Sequence, residues 1–128
     1  MRKVGLLIVL AILFLVCCKQ NRNRTTKSGD VKVTISETGK EYRFKAYFEK
    51  EKTATVQTYI AAQTRINDLF KNYQTNKEVI LSDDTKFQLK SKMGYVEMVL
   101  DKRANDDISL KSIKELSNGI KEKILAKN

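Results

Sequence analysis

Two segments of this chain alternate apolar and polar residues, and this alternation constrains the fold more than any other feature. Glu41–Phe48 places its apolar side chains at every second position, and Val31–Ser36 does the same. Successive side chains of a strand point to opposite faces of a sheet. The two segments therefore predict half-buried strands, and Glu37–Lys40, which contains a glycine, predicts the turn of an antiparallel hairpin. The apolar face of the second strand consists of Tyr42, Phe44, Ala46 and Phe48.

The spacing of apolar residues then changes to threes and fours, which predicts an amphipathic helix of about five turns from Thr53 to Tyr73. A second hairpin is predicted at Glu78–Leu81 and Lys86–Lys90, with a return strand at Tyr95–Leu100. Asn105, Asp106 and Asp107 are N-cap candidates for a final helix that reaches about Ala126.

The predicted order is ββ-α-βββ-α, within a single α+β domain over residues 31–128. Each strand has one apolar face and each helix one apolar stripe, so we expect one antiparallel sheet with both helices packed on one face. The other face then meets water. Its expected side chains are Lys32, Thr34, Arg43, Lys45, Tyr47, Lys86, Gln88 and Lys90.

Six of these residues form a candidate binding face, for which two interpretations stay open. A row of cations on an exposed sheet is usually a solvated surface that discourages edge pairing. It can also dock an acidic protein or anionic lipid, and an aromatic side chain among cations adds contact area. The six residues are Lys32, Arg43, Lys45, Tyr47, Lys86 and Lys90.

The N-terminus indicates where the protein resides. Arg2 and Lys3 precede an apolar run of 13 residues, Val4–Val16, which is shorter than the roughly 20 residues that span a bilayer as a helix. This pattern is typical of a secretory signal peptide, assigned to residues 1–17. The run ends at two cysteines, Cys17 and Cys18.

Leu15-Val16-Cys17-Cys18 resembles a bacterial lipobox, in which a small residue precedes the cysteine that receives diacylglycerol. Cys18 is the preferred lipid attachment site, because choosing Cys17 puts the β-branched Val16 at the small-residue position. A retained signal anchor is the alternative. A metal site is disfavoured, because the chain has two cysteines and no histidine, whereas zinc needs three or four such ligands.

The polar segment 18–30 predicts a lipidated, basic and flexible tether. Of the formal net charge of +10, two charges belong to Arg2 and Lys3 and a net three to the tether, which leaves +5 on the folded part. Basic residues beside an acyl anchor favour anionic headgroups, and a basic domain attracts acidic partners. Nucleic acid is disfavoured as a partner, since no recognisable motif supports it.

No catalytic site is predicted. The absence of histidine excludes Ser-His-Asp and Cys-His sites, and the five scattered glycines form no phosphate loop. We therefore expect neither enzymatic activity nor a cofactor. Asp83-Asp84 and Asp106-Asp107 are interpreted as turn and cap residues. Gly119, inside the last predicted helix, is either a close-packing point or a tolerated weakness.

The start Cys18-Lys19-Gln20-Asn21, the tether rich in Lys and Asn, and the lack of Pro, His and Trp resemble the small lipoproteins of Borrelia spirochaetes. The whole chain is similar to the prophage-encoded haemolysin accessory family, BlyB. The segments that carry this similarity are Gly29–Thr34, Glu41–Ala46, Ser82–Phe87 and Gly119–Glu122. The resemblance implies a non-enzymatic accessory partner that stabilises or assists a small holin-like, haemolytic membrane protein. The alternative is a surface lipoprotein that binds a host or envelope protein.

Replacing Cys18 with Ser is expected to abolish acylation and release the protein from membranes, because the thiol is the acyl acceptor. Incorporation of radiolabelled palmitate in cells measures this, with Cys17→Ser as the matched control. Label that persists in the Cys18 variant and disappears in the Cys17 variant would move the attachment site by one residue. Label that both variants retain would exclude a lipoprotein.

Overall fold

Six antiparallel strands form one sheet in this computed structural model, which describes residues 22–126. The strands lie in the order β1-β2-β3-β6-β5-β4, and the helices α1 and α2 follow β3 and β6 in the chain. This arrangement confirms the predicted α+β class. The elements are β1 (Arg22–Ser28), β2 (Val31–Glu37), β3 (Glu41–Tyr47), α1 (Thr53–Thr64), β4 (Thr75–Ile80), β5 (Lys86–Lys92), β6 (Tyr95–Asp101) and α2 (Asp107–Leu125).

The chain builds this sheet from two similar halves. Each half is a meander of three strands followed by a helix, and the two halves meet where β3 pairs with β6. Phe44 faces Met98 across this pair, and Ala46 faces Val96; all four side chains are fully buried. The centre of the sheet is therefore also the centre of the core.

Both helices cover the face of the sheet that carries these buried residues. Val56 and Ile60 of α1 and Ile113 and Ile120 of α2 are fully buried in the same apolar cluster as Phe44. Each fully buried aliphatic side chain stabilises the fold by roughly 1.5–3 kcal/mol relative to an exposed one. The core faces predicted from the two periodicities are thus the ones observed.

The first strand was not predicted from the sequence. Arg22–Ser28 pairs along its whole length with β2, from Arg22 opposite Glu37 to Ser28 opposite Val31. The predicted tether is therefore wrong for residues 22–28, and the folded domain begins nine residues earlier than residue 31. The segment has no apolar side chain, so it shows no alternation, and its pairing rests on backbone hydrogen bonds to β2. Cys17, Cys18 and the predicted signal peptide lie outside the described residues.

The first helix is shorter than predicted. It ends at Thr64, and Arg65 takes the left-handed conformation with φ 58°. Asp68 and Asn72 also have positive φ, and Asn and Asp tolerate this region better than other non-glycine residues. Leu69 is nevertheless buried, with 3% of its surface exposed. The three-four spacing beyond Thr64 therefore marked the burial of Leu69 correctly, but it was wrong about the helix and about Tyr73, which is 52% exposed.

The paired carboxylates act as turn and cap residues, as predicted. The backbone amide of Thr85 donates to Asp83 Oδ1 at 3.1 Å, within the turn between β4 and β5. The backbone amide of Ser109 donates to Asp106 Oδ1 at 2.8 Å, which makes Asp106 the N-cap of α2.

No helix within residues 22–126 is both long enough and apolar enough to cross a membrane.

Gly119 is a close-packing point between the two helices. A methyl group at this position would overlap the hydroxyl and ring of Tyr59 on α1. The Tyr59 ring also has the ammonium of Lys123 at 5.5 Å from its centroid. A side chain at position 119 therefore has to displace this ring. Glycine avoids the clash, although it favours the helix less than alanine does.

Gly119→Ala is expected to destabilise the protein by about 1–3 kcal/mol, the usual cost of overpacking. In a Tyr59→Ala background the same change is expected to stabilise it by about 1 kcal/mol, because the clash is gone and alanine favours helix. Urea unfolding of the four proteins measures the coupling between the two sites. An equal effect of Gly119→Ala in both backgrounds would refute the packing explanation.

The open face of the sheet as a candidate binding site

The sheet leaves one face without a helical cover, and all six predicted binding residues lie on it. Directly paired residues of antiparallel strands share a face. Lys32 pairs with Tyr47, and Lys45 pairs with Glu97, which in turn pairs with Lys90. Arg43 and Lys86 follow from the alternation along β3 and β5. We call this surface the open face.

The structure divides these cations into paired and unpaired groups. Glu97, at the centre of the open face, lies 3.5 Å from Arg43 Nη1 and 3.9 Å from Lys45 Nζ. Arg43 Nε also donates to Glu41 at 3.1 Å. These partly exposed pairs contribute little to stability, but they offset the charges of Arg43 and Lys45 in the middle of the face. Arg43 and Lys45 are therefore poor candidates for contacts with an acidic partner.

Lys86 lies apart from the other predicted residues. It is the first residue of β5, whereas Lys92 is the last. Its backbone amide donates to Asn105 Oδ1 at 2.8 Å, and its carbonyl accepts from Asn105 Nδ2 at 3.0 Å. These bonds fix the backbone of Lys86 to the segment that precedes α2. The predicted face thus combines two separate ends of the sheet.

One end of the open face carries a row of five side chains on five neighbouring strands. Successive pairs in the register link Lys27 to Lys32, Lys32 to Tyr47, Tyr47 to Tyr95, and Tyr95 to Lys92. We call this set the lysine–tyrosine row. Among residues 22–126 its three lysines form no ion pair, and the row itself has no acidic member.

The two tyrosines form the centre of this row. Their ring centroids are 4.9 Å apart with a 51° angle between the planes, and Lys92 Nζ lies 5.5 Å from the Tyr95 centroid. Tyr95 is 8% exposed and Tyr47 is 47% exposed. Tyr95 is therefore largely covered and packs beside Tyr47, and Tyr47 presents an aromatic surface to solvent between lysines.

Burial is the main reason that the pKa of Tyr95 rises to about 12. The nearby carboxylate of Glu97 raises this pKa further, as does the neighbouring Tyr47. The phenol is therefore neutral at every physiological pH.

Sequence reasoning missed four residues that shape this surface. Lys27 was assigned to the tether, because nothing in its segment signals a strand. Lys92 lies beyond the predicted end of its strand. Tyr95 and Glu97 alternate with the buried Val96 and Met98, so the period of two already placed them on the outer face. That pattern could have placed Glu97 on the open face, whereas its contacts with Arg43 and Lys45 depend on the pairing of β3 with β6.

A groove lies apart from the open face, where α1 and α2 meet the turn after β4. It has a volume of about 380 Å³, and its walls include Tyr59, Arg65, Asp83, Ser112 and Glu115. Ser112 Oγ donates to Asp83 Oδ2 at 2.7 Å, so one of the groove's two acidic side chains is engaged in holding α2 to the turn after β4. In the described part of the chain no three His, Cys, Asp or Glu side chains converge as a metal site.

Comparison with known proteins gives no match: no family model, no curated protein and no solved structure is similar to this chain. The functional argument therefore rests on the residues themselves and on the sequence resemblance described above.

Replacing Glu97 with Gln is expected to lower the pKa of Tyr95 from about 12 toward the ordinary tyrosine value. The reason is that an adjacent negative charge opposes formation of the phenolate. NMR titration of protein labelled with ¹³C at tyrosine Cζ measures this pKa. Glu78→Gln is the control. Glu78 lies on the same face but on the edge strand β4, so its replacement should leave the pKa of Tyr95 unchanged. Equal pKa values in both variants would mean that the charge of Glu97 does not contribute to the shift.

Proposed function

We propose that this protein is a non-enzymatic lipoprotein that holds one small binding domain at a membrane. In this proposal Cys18 carries the lipid and the open face is the docking surface. The partner is a small holin-like, haemolytic membrane protein, which this domain stabilises or assists, as the resemblance to the BlyB family implies. The observation that carries the proposal is the lysine–tyrosine row, a cationic and aromatic surface that the fold leaves uncovered.

The composition of this surface supports a binding role. Interfaces are enriched in tyrosine, and exposed cations without intramolecular partners remain available for charges on another molecule. Tyr47 lies at the middle of the row and is half exposed, whereas the aromatic residues of the other face, such as Phe44 and Phe87, are buried. A purely solvated face would not need two aromatic rings in contact among its lysines.

The first strand limits how far the domain can move from the proposed anchor. Only three residues separate Cys18 from Arg22, the first residue of β1. A fully extended chain covers at most about 14 Å over these four steps. The Arg22 end of the sheet would then stay near the bilayer, and the domain would remain close to the membrane surface.

A second candidate function follows from the same face. A lipoprotein displayed on the cell surface would present the lysine–tyrosine row to host or envelope proteins. The two candidates share their chemistry and differ in the side of the outer membrane on which the domain resides. The position of the domain therefore decides between them.

Proteinase K treatment of intact cells is expected to leave the domain undigested, because an accessory partner of a holin-like protein works beneath the outer membrane. Permeabilised cells are expected to lose it. Immunoblotting after each treatment measures both outcomes, with a known surface lipoprotein as the positive control for digestion.

Digestion of the domain in intact cells would favour the surface-exposed candidate instead. Release of the wild-type protein into the soluble fraction would reject the proposal that the protein is anchored to a membrane. Cys18→Ser provides the reference for that released form.

A further inference from the structure

We propose that the lysine–tyrosine row binds an extended acidic segment of a partner protein, in which an apolar residue lies midway between two carboxylates four positions apart. This inference rests on the proposed function, because the position of the anchor favours a protein partner over the membrane. It deepens that proposal by naming the chemistry of the partner.

The charge of the row selects an acidic partner. Lys32 and Lys92 are exposed, lie on either side of the two tyrosines, and have no ion-pair partner among residues 22–126. The next row along the sheet differs, because there Glu97 already faces Lys45. An acidic segment therefore gains most at the lysine–tyrosine row, where it replaces water and displaces no existing pair.

The spacing of the row determines the pattern that it recognises. Lys32 and Lys92 are three strand spacings apart, which is about 14 Å at ~4.8 Å per strand. An extended peptide covers about 13 Å in four residues, and residues i, i+2 and i+4 point to the same side. Carboxylates at i and i+4 then reach the two lysines, and residue i+2 lies over the tyrosine pair.

Position along the sheet argues against the anchoring membrane as the occupant. Lys27 lies five residues from Arg22 along β1, or roughly 17 Å at ~3.3 Å per residue. If the chain is anchored at Cys18, the Arg22 end lies near the lipid and the row lies at the far end. In a domain that stands upright on this anchor, a protein that extends above the bilayer meets this end, and the headgroups of the same membrane lie at the other end.

Fluorescence anisotropy with a labelled nine-residue peptide tests the proposal on the full-length chain in a neutral detergent. The probe has glutamate at its third and seventh positions, phenylalanine at its fifth, and serine elsewhere. Its control has the second glutamate moved to the sixth position, which turns the two carboxylates to opposite sides. We expect the control to bind several-fold more weakly, and raising NaCl from about 50 to 300 mM to weaken binding of the probe.

Variants of the protein sharpen this test. Combined Lys32→Glu and Lys92→Glu is expected to raise the Kd roughly tenfold, since two attractions become repulsions. Lys86→Glu, at the other end of the same face, is the matched control and should change the Kd less than about twofold. Tyr47→Ala should weaken binding of the phenylalanine probe and leave an alanine analogue unaffected. Circular dichroism confirms that each variant is folded.

The outcomes separate this inference from the proposed function. Equal binding of the two peptides, or equal effects of the Lys86 and Lys32/Lys92 changes, would overturn the recognition pattern whatever the anchor. Failure of the peptide to bind, together with row-dependent co-sedimentation on phosphatidylglycerol vesicles, would assign the row to lipid instead. Cys18→Ser should leave the peptide Kd unchanged, so a failure of lipidation would not be mistaken for a failure of this site.

Discussion

The antiparallel pairing of β3 with β6 is the contact on which the rest of the structure depends. It joins the two three-stranded halves, and it places Phe44 against Met98 at the centre of the core. The two strands are about fifty residues apart in the chain, so their pairing closes a long loop at a considerable entropic cost. Burial of large apolar side chains between this pair and both helices offsets that cost. Without it, β3 and β6, the last strands of the two halves, would each be an open edge.

This central pairing also explains why a binding surface is available. Both helices cross the same face, so the opposite face remains solvated over all six strands. The register between strands then sets which side chains become neighbours there. It brings Glu97 to Arg43 and Lys45, and it brings Tyr47 to Tyr95. One register thus produces a neutralised middle and a cationic, aromatic end on the same surface.

The candidate site could be predicted in part because alternation assigns side chains to faces. Lys32, Tyr47 and Lys90 were placed on the open face from sequence, and the structure has them there. Alternation carries no information about which strands are neighbours, so the contact of Tyr47 with Tyr95 was beyond its reach. The same limit hid Lys27, whose strand is recognisable only from its hydrogen bonds to β2.

The sequence by itself determined the fold class, both hairpins, the final helix and the identity of the buried face, because these depend on periodicity and local turn chemistry. Tertiary structure alone decided the strand order, the incorporation of β1 and the end of α1 at Thr64. It also decided which cations are paired. These features depend on contacts between residues that are distant in the chain, and a local pattern cannot encode which distant backbone or side chain will meet it.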